Sequence, residues 1–257
     1  MNVIFGTERL TNTSLINLIY YSYDLGYRKF DTAQAYNNLT LLGRAFKKLQ
    51  KRETIQITSK VSKPFIEKYS FSACFELILR ELKVDYLDYL FIHAPKGINH
   101  HTTIPEMLKL KDQKKIIKWG LSNYTIKHLE KLKSDYLLPD TLQVEVHPYL
   151  NEDKLVQYCH NNQIELMAHS AFAHGKVFKD KNLLQIARDN HCSISQLVLS
   201  WALHRKYLPI ISTLKKEHLK KNSESKLISL EDKTIKLLDG FNSNSRICFS
   251  EDWAEFD

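Results

Sequence analysis

Four ionisable side chains stand where short apolar runs end. Asp31 closes Gly26-Tyr27-Arg28-Lys29-Phe30 with Tyr36 five residues on, Lys60 closes Ile55-Gln56-Ile57-Thr58-Ser59, and His93 closes Asp88-Tyr89-Leu90-Phe91-Ile92. A carboxylate, a phenol, an ammonium and an imidazole are groups that hold or move protons. Singly, each has a plainer reading: the Asp as turn former or helix N-cap, the Tyr as packing, the Lys as a surface residue, the His as a satisfied core group. Three consecutive runs that each deliver such a group at the carboxyl end carry more weight, because parallel α/β proteins build their active sites at that end.

Groups so placed need repeated strand–helix units to hold them. Strand-like runs recur with ends near Asp31, Lys60, His93, Asn123, His147, Ser170 and Ser212, and Val3 to Thr7 makes an eighth. Segments of helical periodicity follow, among them Leu41 to Leu49, Phe71 to Leu82 and Lys154 to Gln163. Most ends lie about 23–33 residues apart, enough for a strand, a right-handed crossover helix and two loops. The last interval is longer and implies an insertion, Ala171 to Asn182, before a helix running through Trp201. The pattern predicts one (β/α)₈ TIM barrel over residues 1–257, with 242–257 as a C-terminal loop or tail, and the length is typical of such a barrel. Loops at Ala94 to Ile104 and Ala171 to Lys181 share the catalytic side with that tail, whose Phe249, Trp253 and Phe256 are candidate caps for a pocket. His100 and His101 read as a solvated loop pair and Lys109 to Lys118 as a solvated helix face.

Lys plus Arg number 37 against 29 Asp plus Glu, a net +8 dispersed along the chain. That balance favours anionic small ligands over nucleic acid, which calls for lysines gathered on one face with aromatics between them. Cys74, Cys159, Cys192 and Cys248 show no paired spacing and read as reduced thiols, with no metal site. No basic-then-apolar leader opens the chain, and no apolar stretch approaches the roughly 20 residues that cross a bilayer. A cytosolic protein acting on a small molecule is the expectation; the oligomeric state is not legible, and a monomer is consistent with the sequence.

Gly26 to Tyr36 matches the pattern GYR-x-(I/F)-DTA-x-x-Y. The Lys60 and His93 motifs follow, then Gly120-Leu121-Ser122-Asn123, Gln143-Val144-Glu145-Val146-His147-Pro148-Tyr149 and Gln196-Leu197-Val198-Leu199-Ser200-Trp201-Ala202-Leu203, in the same order. On these segments the chain resembles the aldo-keto reductase superfamily from about Phe5 to Phe241. The resemblance implies reduction of an aldehyde or ketone to an alcohol by hydride from NADPH, with NADH as the alternative cofactor. It makes Tyr36 the proton donor, Lys60 the cation that lowers its pKa, Asp31 the charge that aims Lys60, and His93 the group that orients the substrate oxygen. Ser122, Asn123 and Gln143 are implied to hold the nicotinamide carboxamide.

Three departures qualify the resemblance. His169 stands where the family has a tyrosine under the nicotinamide, so binding of the oxidised cofactor is expected to weaken as pH falls through the ordinary histidine range. The adenosine-phosphate segment, usually I-P-K-S and then R-x-x-E-N, reads Ile210-Ile211-Ser212-Thr213 and then His218-Leu219-Lys220-Lys221-Asn222. Ser212, Thr213, Lys215, Lys216, His218 and Asn222 are the residues expected there. The family's usual N-terminal β-hairpin, the floor of the barrel, is expected to be missing. A second reading therefore stands beside the enzyme: a catalytically weak or inactive barrel with a binding or regulatory role.

Overall fold

Parallel strands covered on both faces need near-continuous apolar runs, and the β-branched and aromatic runs of this chain meet that need. In the computed structural model, which describes residues 2–224 and 228–248, the strands are β1 (Ile4–Gly6), β2 (Lys29–Asp31), β3 (Gln56–Val61), β4 (Leu87–Ile92), β5 (Ile116–Ser122), β6 (Thr141–Glu145), β7 (Glu165–His169) and β8 (Leu208–Ile211). Each pairs in parallel with the next, and β8 returns to β1 through Ile4↔Ile210 and Phe5↔Ile211, which closes the barrel. The helices are α1 (Ser14–Asp24), α2 (Leu39–Leu49), α3 (Lys63–Ile66), α4 (Phe71–Leu82), α5 (His100–Asp112), α6 (Ile126–Lys133), α7 (Asp153–Asn161), α8 (Lys181–Asp189), α9 (Ile194–His204), α10 (Lys216–Ser223) and α11 (Asp232–Asp239). This is the (β/α)₈ TIM barrel. Among the described residues no hairpin precedes β1.

Ile4, Tyr89, Phe91, Met167 and Ile210 form one buried cluster, distinct from the larger one that packs helices onto strands. Gly120 on β5 makes room for it: a Cβ there would lie 2.4 Å from a ring carbon of Phe91. On the outside, a Cβ at Gly43 would lie 2.1 Å from the Glu81 carbonyl oxygen, so glycine is what lets α2 approach α4.

Three local readings change. The helix expected to run through Trp201 is two helices, because Ser193 and Gln196 form a capping box that starts α9 afresh. The Lys109 to Lys118 face divides, α5 ending at Asp112 and β5 beginning at Ile116. His100 and His101 open α5 and hydrogen-bond the Tyr124 and Tyr136 hydroxyls at 2.6 and 3.1 Å, so the pair is not a free solvated loop. Burial, then the nearby His128, Lys131 and His101, takes the His100 pKa down to about 4. Phe249, Trp253 and Phe256 lie outside the described residues. Among those described, no helix is long and apolar enough to cross a membrane, and no cluster of metal-ligating side chains occurs.

Candidate active site

The barrel register places the four ionisable groups at one mouth. β2 ends on Asp31, Lys60 sits one residue before the end of β3, and His93 follows β4 directly. A single 3₁₀ turn, Gln34–Tyr36, carries Tyr36 back over the strand ends, and Asn37, at φ 55, ends it in the left-handed region that Asn tolerates.

Lys60 is 1 % exposed, and its Nζ donates to Asp31 Oδ1 at 2.6 Å, to the Thr32 carbonyl at 3.0 Å and to the Tyr36 hydroxyl oxygen at 3.3 Å. The other Asp31 oxygen accepts from Gln143 Nε2 at 2.9 Å. His93, buried, meets the Tyr36 ring edge-on at 5.9 Å between centroids. An ammonium can only donate, so the Tyr36 oxygen accepts from Lys60 and its own proton is left to point elsewhere.

The electrostatics differ from the sequence expectation. Burial first, then the charges of Asp31, Glu8 and Cys248, push the Tyr36 phenol well above its ordinary pKa, whereas a cation-lowered value was expected from Lys60. Lys60 does not offset this, because it lies closer to Asp31 than to Tyr36 and its charge is matched there. Burial pulls the Lys60 pKa down against the opposing pull of Asp31. Burial, Lys60 and His169 lower that of His93 well below the usual imidazole range. At neutral pH the cavity therefore presents a protonated phenol beside a neutral imidazole, a pair suited to giving a proton to, and orienting, an oxygen that gains charge.

These groups open on a cavity of about 710 Å³. Asp31, Tyr36, His93, Ser122, Asn123, Gln143, His169, Ser212 and Thr213 line it, with Lys60 behind Asp31 and Tyr36. Lys215, Lys216, His218 and Asn222 do not line it. They stand at or on α10: His218 meets Thr213 Oγ1 at 3.2 Å, Lys216 lies 5.2 Å over the Tyr21 ring, and Asn222 is buried. Sequence reasoning passed over Glu8 and Arg9, which also line the cavity and follow the end of β1, although the same strand-end rule points to them. Cys248 was read only as a reduced thiol; it lines the cavity too, its sulfur 2.8 Å from Ser170 Oγ and 2.9 Å from His174 Nε2. No motif signals that placement, since its partners lie more than 70 residues away.

His169 is tied in on both ring nitrogens. Asn123 donates its amide to the His93 carbonyl and to Ser122 Oγ, so its Oδ1 is the acceptor 2.9 Å from His169 Nε2, and Nδ1 faces Ser170 Oγ at 3.1 Å. The imidazole is thus the neutral tautomer with its proton on Nε2. Burial takes its pKa down to about 3; Glu145 opposes the shift, and Lys60, Arg246 and His147 add to it. A group whose folded pKa is depressed this far stays neutral across the range in which an ordinary histidine titrates. The expected acid weakening should therefore be absent: the ratio of NADP⁺ dissociation constants between His169→Phe and the wild type should stay constant from pH 8 to pH 5.5. A fluorescence titration in which that ratio drifts tenfold near pH 6.5 would show that His169 titrates after all.

The donor set fits a nicotinamide dinucleotide. Ser122, Asn123 and Gln143 offer hydroxyl and amide groups along one wall, as a carboxamide that both donates and accepts requires. Ser212 and Thr213 line the same cavity beside the start of α10, where Lys215 and Lys216 outweigh Glu217, so hydroxyl donors and a net positive charge are at hand for a phosphate.

The profile of the aldo/keto reductase family matches residues 2–243. The glyoxal reductase of Bacillus subtilis (strain 168) is 33 % identical over 224 residues, which covers 86 % of this chain and 81 % of that protein. The methylglyoxal reductase of Escherichia coli O157:H7 is 29 % identical over 256 residues, covering 97 % of this chain and 96 % of its own. Among solved structures, an aldo-keto reductase from a Medee basin deep-sea metagenome library superposes with a TM-score of 0.91 at 27 % identity, over 97 % of this chain and 94 % of that one.

Proposed function

The chain belongs to the aldo/keto reductase family, and on that premise we propose that it reduces a small aldehyde or ketone with NADPH as hydride source and Tyr36 as proton donor. The observation that carries this reading is the Asp31–Lys60–Tyr36 relay, 2.6 and 3.3 Å link to link, with His93 beside it on the same cavity. The bound nicotinamide supplies the hydride, which no side chain here can. His93 positions the carbonyl oxygen, Tyr36 gives it a proton, and Lys60 stabilises the phenolate left behind. Ser122, Asn123, Gln143 and His169 form the nicotinamide side, and Ser212, Thr213, Lys215, Lys216, His218 and Asn222 the phosphate side. Residues 1–257 act as one domain, in the cytosol. Family membership and the assembled tetrad favour this enzyme over a binding-only barrel, which has no use for a buried lysine aimed at a phenol.

The named relatives reduce glyoxal and methylglyoxal, and short carbonyls of that kind are the first substrates to assay. The test is titration of NADPH and NADH at low salt, followed by a carbonyl panel. A charge-assisted hydrogen bond to the 2′-phosphate is worth roughly 10- to 100-fold in affinity. NADPH should bind more tightly by about that factor, and the margin should shrink in high salt, because exposed charges are screened. The double variant Lys215→Ala/Lys216→Ala should lose most of the preference. Equal affinity for both cofactors, unchanged in that variant, would make the basic cluster ordinary surface.

A further inference from the structure

Glu145 is a fully buried carboxylate that the chemistry above does not use. It lies two residues beyond Gln143 on β6, and alternate residues of a strand share a face, so it stands on the cavity side one step nearer the mouth. Its Oε1 accepts from His147 Nε2 at 2.9 Å and from the Ile247 backbone N–H at 2.7 Å, and its Oε2 from the Cys248 N–H at 3.0 Å, with Arg246 Nη1 3.8 Å away. His147 is itself fully buried, its Nδ1 has no hydrogen-bond partner among the described residues, and its ring packs edge-on against Tyr149, so its one side-chain hydrogen bond goes to Glu145. A buried carboxylate is expensive unless every oxygen is satisfied, and two of its three hydrogen-bond donors come from the tail about 100 residues downstream.

Residues 243–246 lie on the same connection between β6 and α7. The Ser243 and Ser245 N–H groups both reach the Tyr149 carbonyl, at 3.1 and 3.0 Å, and Arg246 pairs with Glu152. Among the described tail residues, Ile247 and Cys248, whose backbone N–H groups donate to Glu145, go on to line the cavity.

We propose that Glu145 is a latch: a positioning residue that pins residues 246–248 across the barrel mouth, so that Ile247 and Cys248 become a wall of the substrate pocket. The size of carbonyl accepted then depends on a strap held by one carboxylate. This consequence for substrate choice rests on the reductase reading; the latch does not.

Glu145→Gln keeps the shape and replaces one acceptor oxygen with a donor, which cannot face a backbone N–H. Hydrogen exchange at the Ile247 and Cys248 amides should quicken by about 10- to 100-fold, the loss of one hydrogen bond to a charged group, while the strands keep their protection. In assays the KM for benzaldehyde, the bulkier carbonyl, should rise about tenfold, and that for glyoxal should stay within about twofold. Arg246→Ala, on the partly exposed side, should speed the same amides less. A folded Glu145→Gln protein with wild-type exchange at 247 and 248 overturns the latch. If that variant does not fold, unchanged exchange in Arg246→Ala overturns it instead. Faster exchange in a protein that reduces no carbonyl would keep the latch and sink only the reductase reading.

Discussion

Replacing Tyr36 with Phe is expected to slow carbonyl reduction by about 10²- to 10⁴-fold while the affinity for NADPH stays nearly constant. The change removes one oxygen from a ring that packs edge-on against His93 and leaves the ring itself. It deletes the weakest of the three Lys60 hydrogen bonds, at 3.3 Å, and keeps those to Asp31 and Thr32, so the fold should hold. The loss should fall on kcat, because the proton passes only as hydride arrives. Burial and Asp31 keep the phenol protonated, so the wild-type rate should not fall as pH drops from 8 to 6 for want of a donor. Single-turnover reduction under saturating NADPH checks both points. A Tyr36→Phe enzyme that works at the wild-type rate would remove Tyr36 from the chemistry.

The placement of Asp31, Lys60 and His93 was legible because it needs only strand periodicity and the rule that such barrels act at their carboxyl ends. Tyr36 was legible from its spacing, since one 3₁₀ turn covers the distance from Asp31. What escaped was the sign of the Tyr36 shift, which is set first by burial of the phenol in the folded cavity and then by Asp31, with Lys60 drawn closer to the carboxylate than to the phenol; no spacing encodes either. His169 is similar: its residue type announces a titrating group, and its burial, with nearby Lys60 and Arg246, decides that it does not titrate near neutrality. Glu145 was in plain view within the Gln143 to Tyr149 motif, but its meaning depends on Ile247 and Cys248, which only the folded tail brings to it. The break between α8 and α9 had a local signal in Ser193 and Gln196, masked by the apolar periodicity that continues past it.

Lys60→Met should damage stability and catalysis together, and the two losses can be separated. Methionine fills much of the space but leaves Asp31, 3 % exposed, with Gln143 as its remaining side-chain donor. Breaking a buried ion pair from one side costs about 3–5 kcal/mol, because the surviving charge is left uncompensated. The Tm of the variant at pH 7 should fall accordingly. The double variant Asp31→Asn/Lys60→Met removes the lone charge and should recover most of the stability at pH 7, because a neutral amide tolerates the site far better. Activity should not return with it. Both variants lack the cation beside the phenolate that forms as Tyr36 gives up its proton, and reduction should stay at least about 10²-fold down. A Lys60→Met protein as stable as the wild type at pH 7 would show that the pair does not carry the buried charge, and a double variant that regains turnover would show that it does not serve the proton transfer.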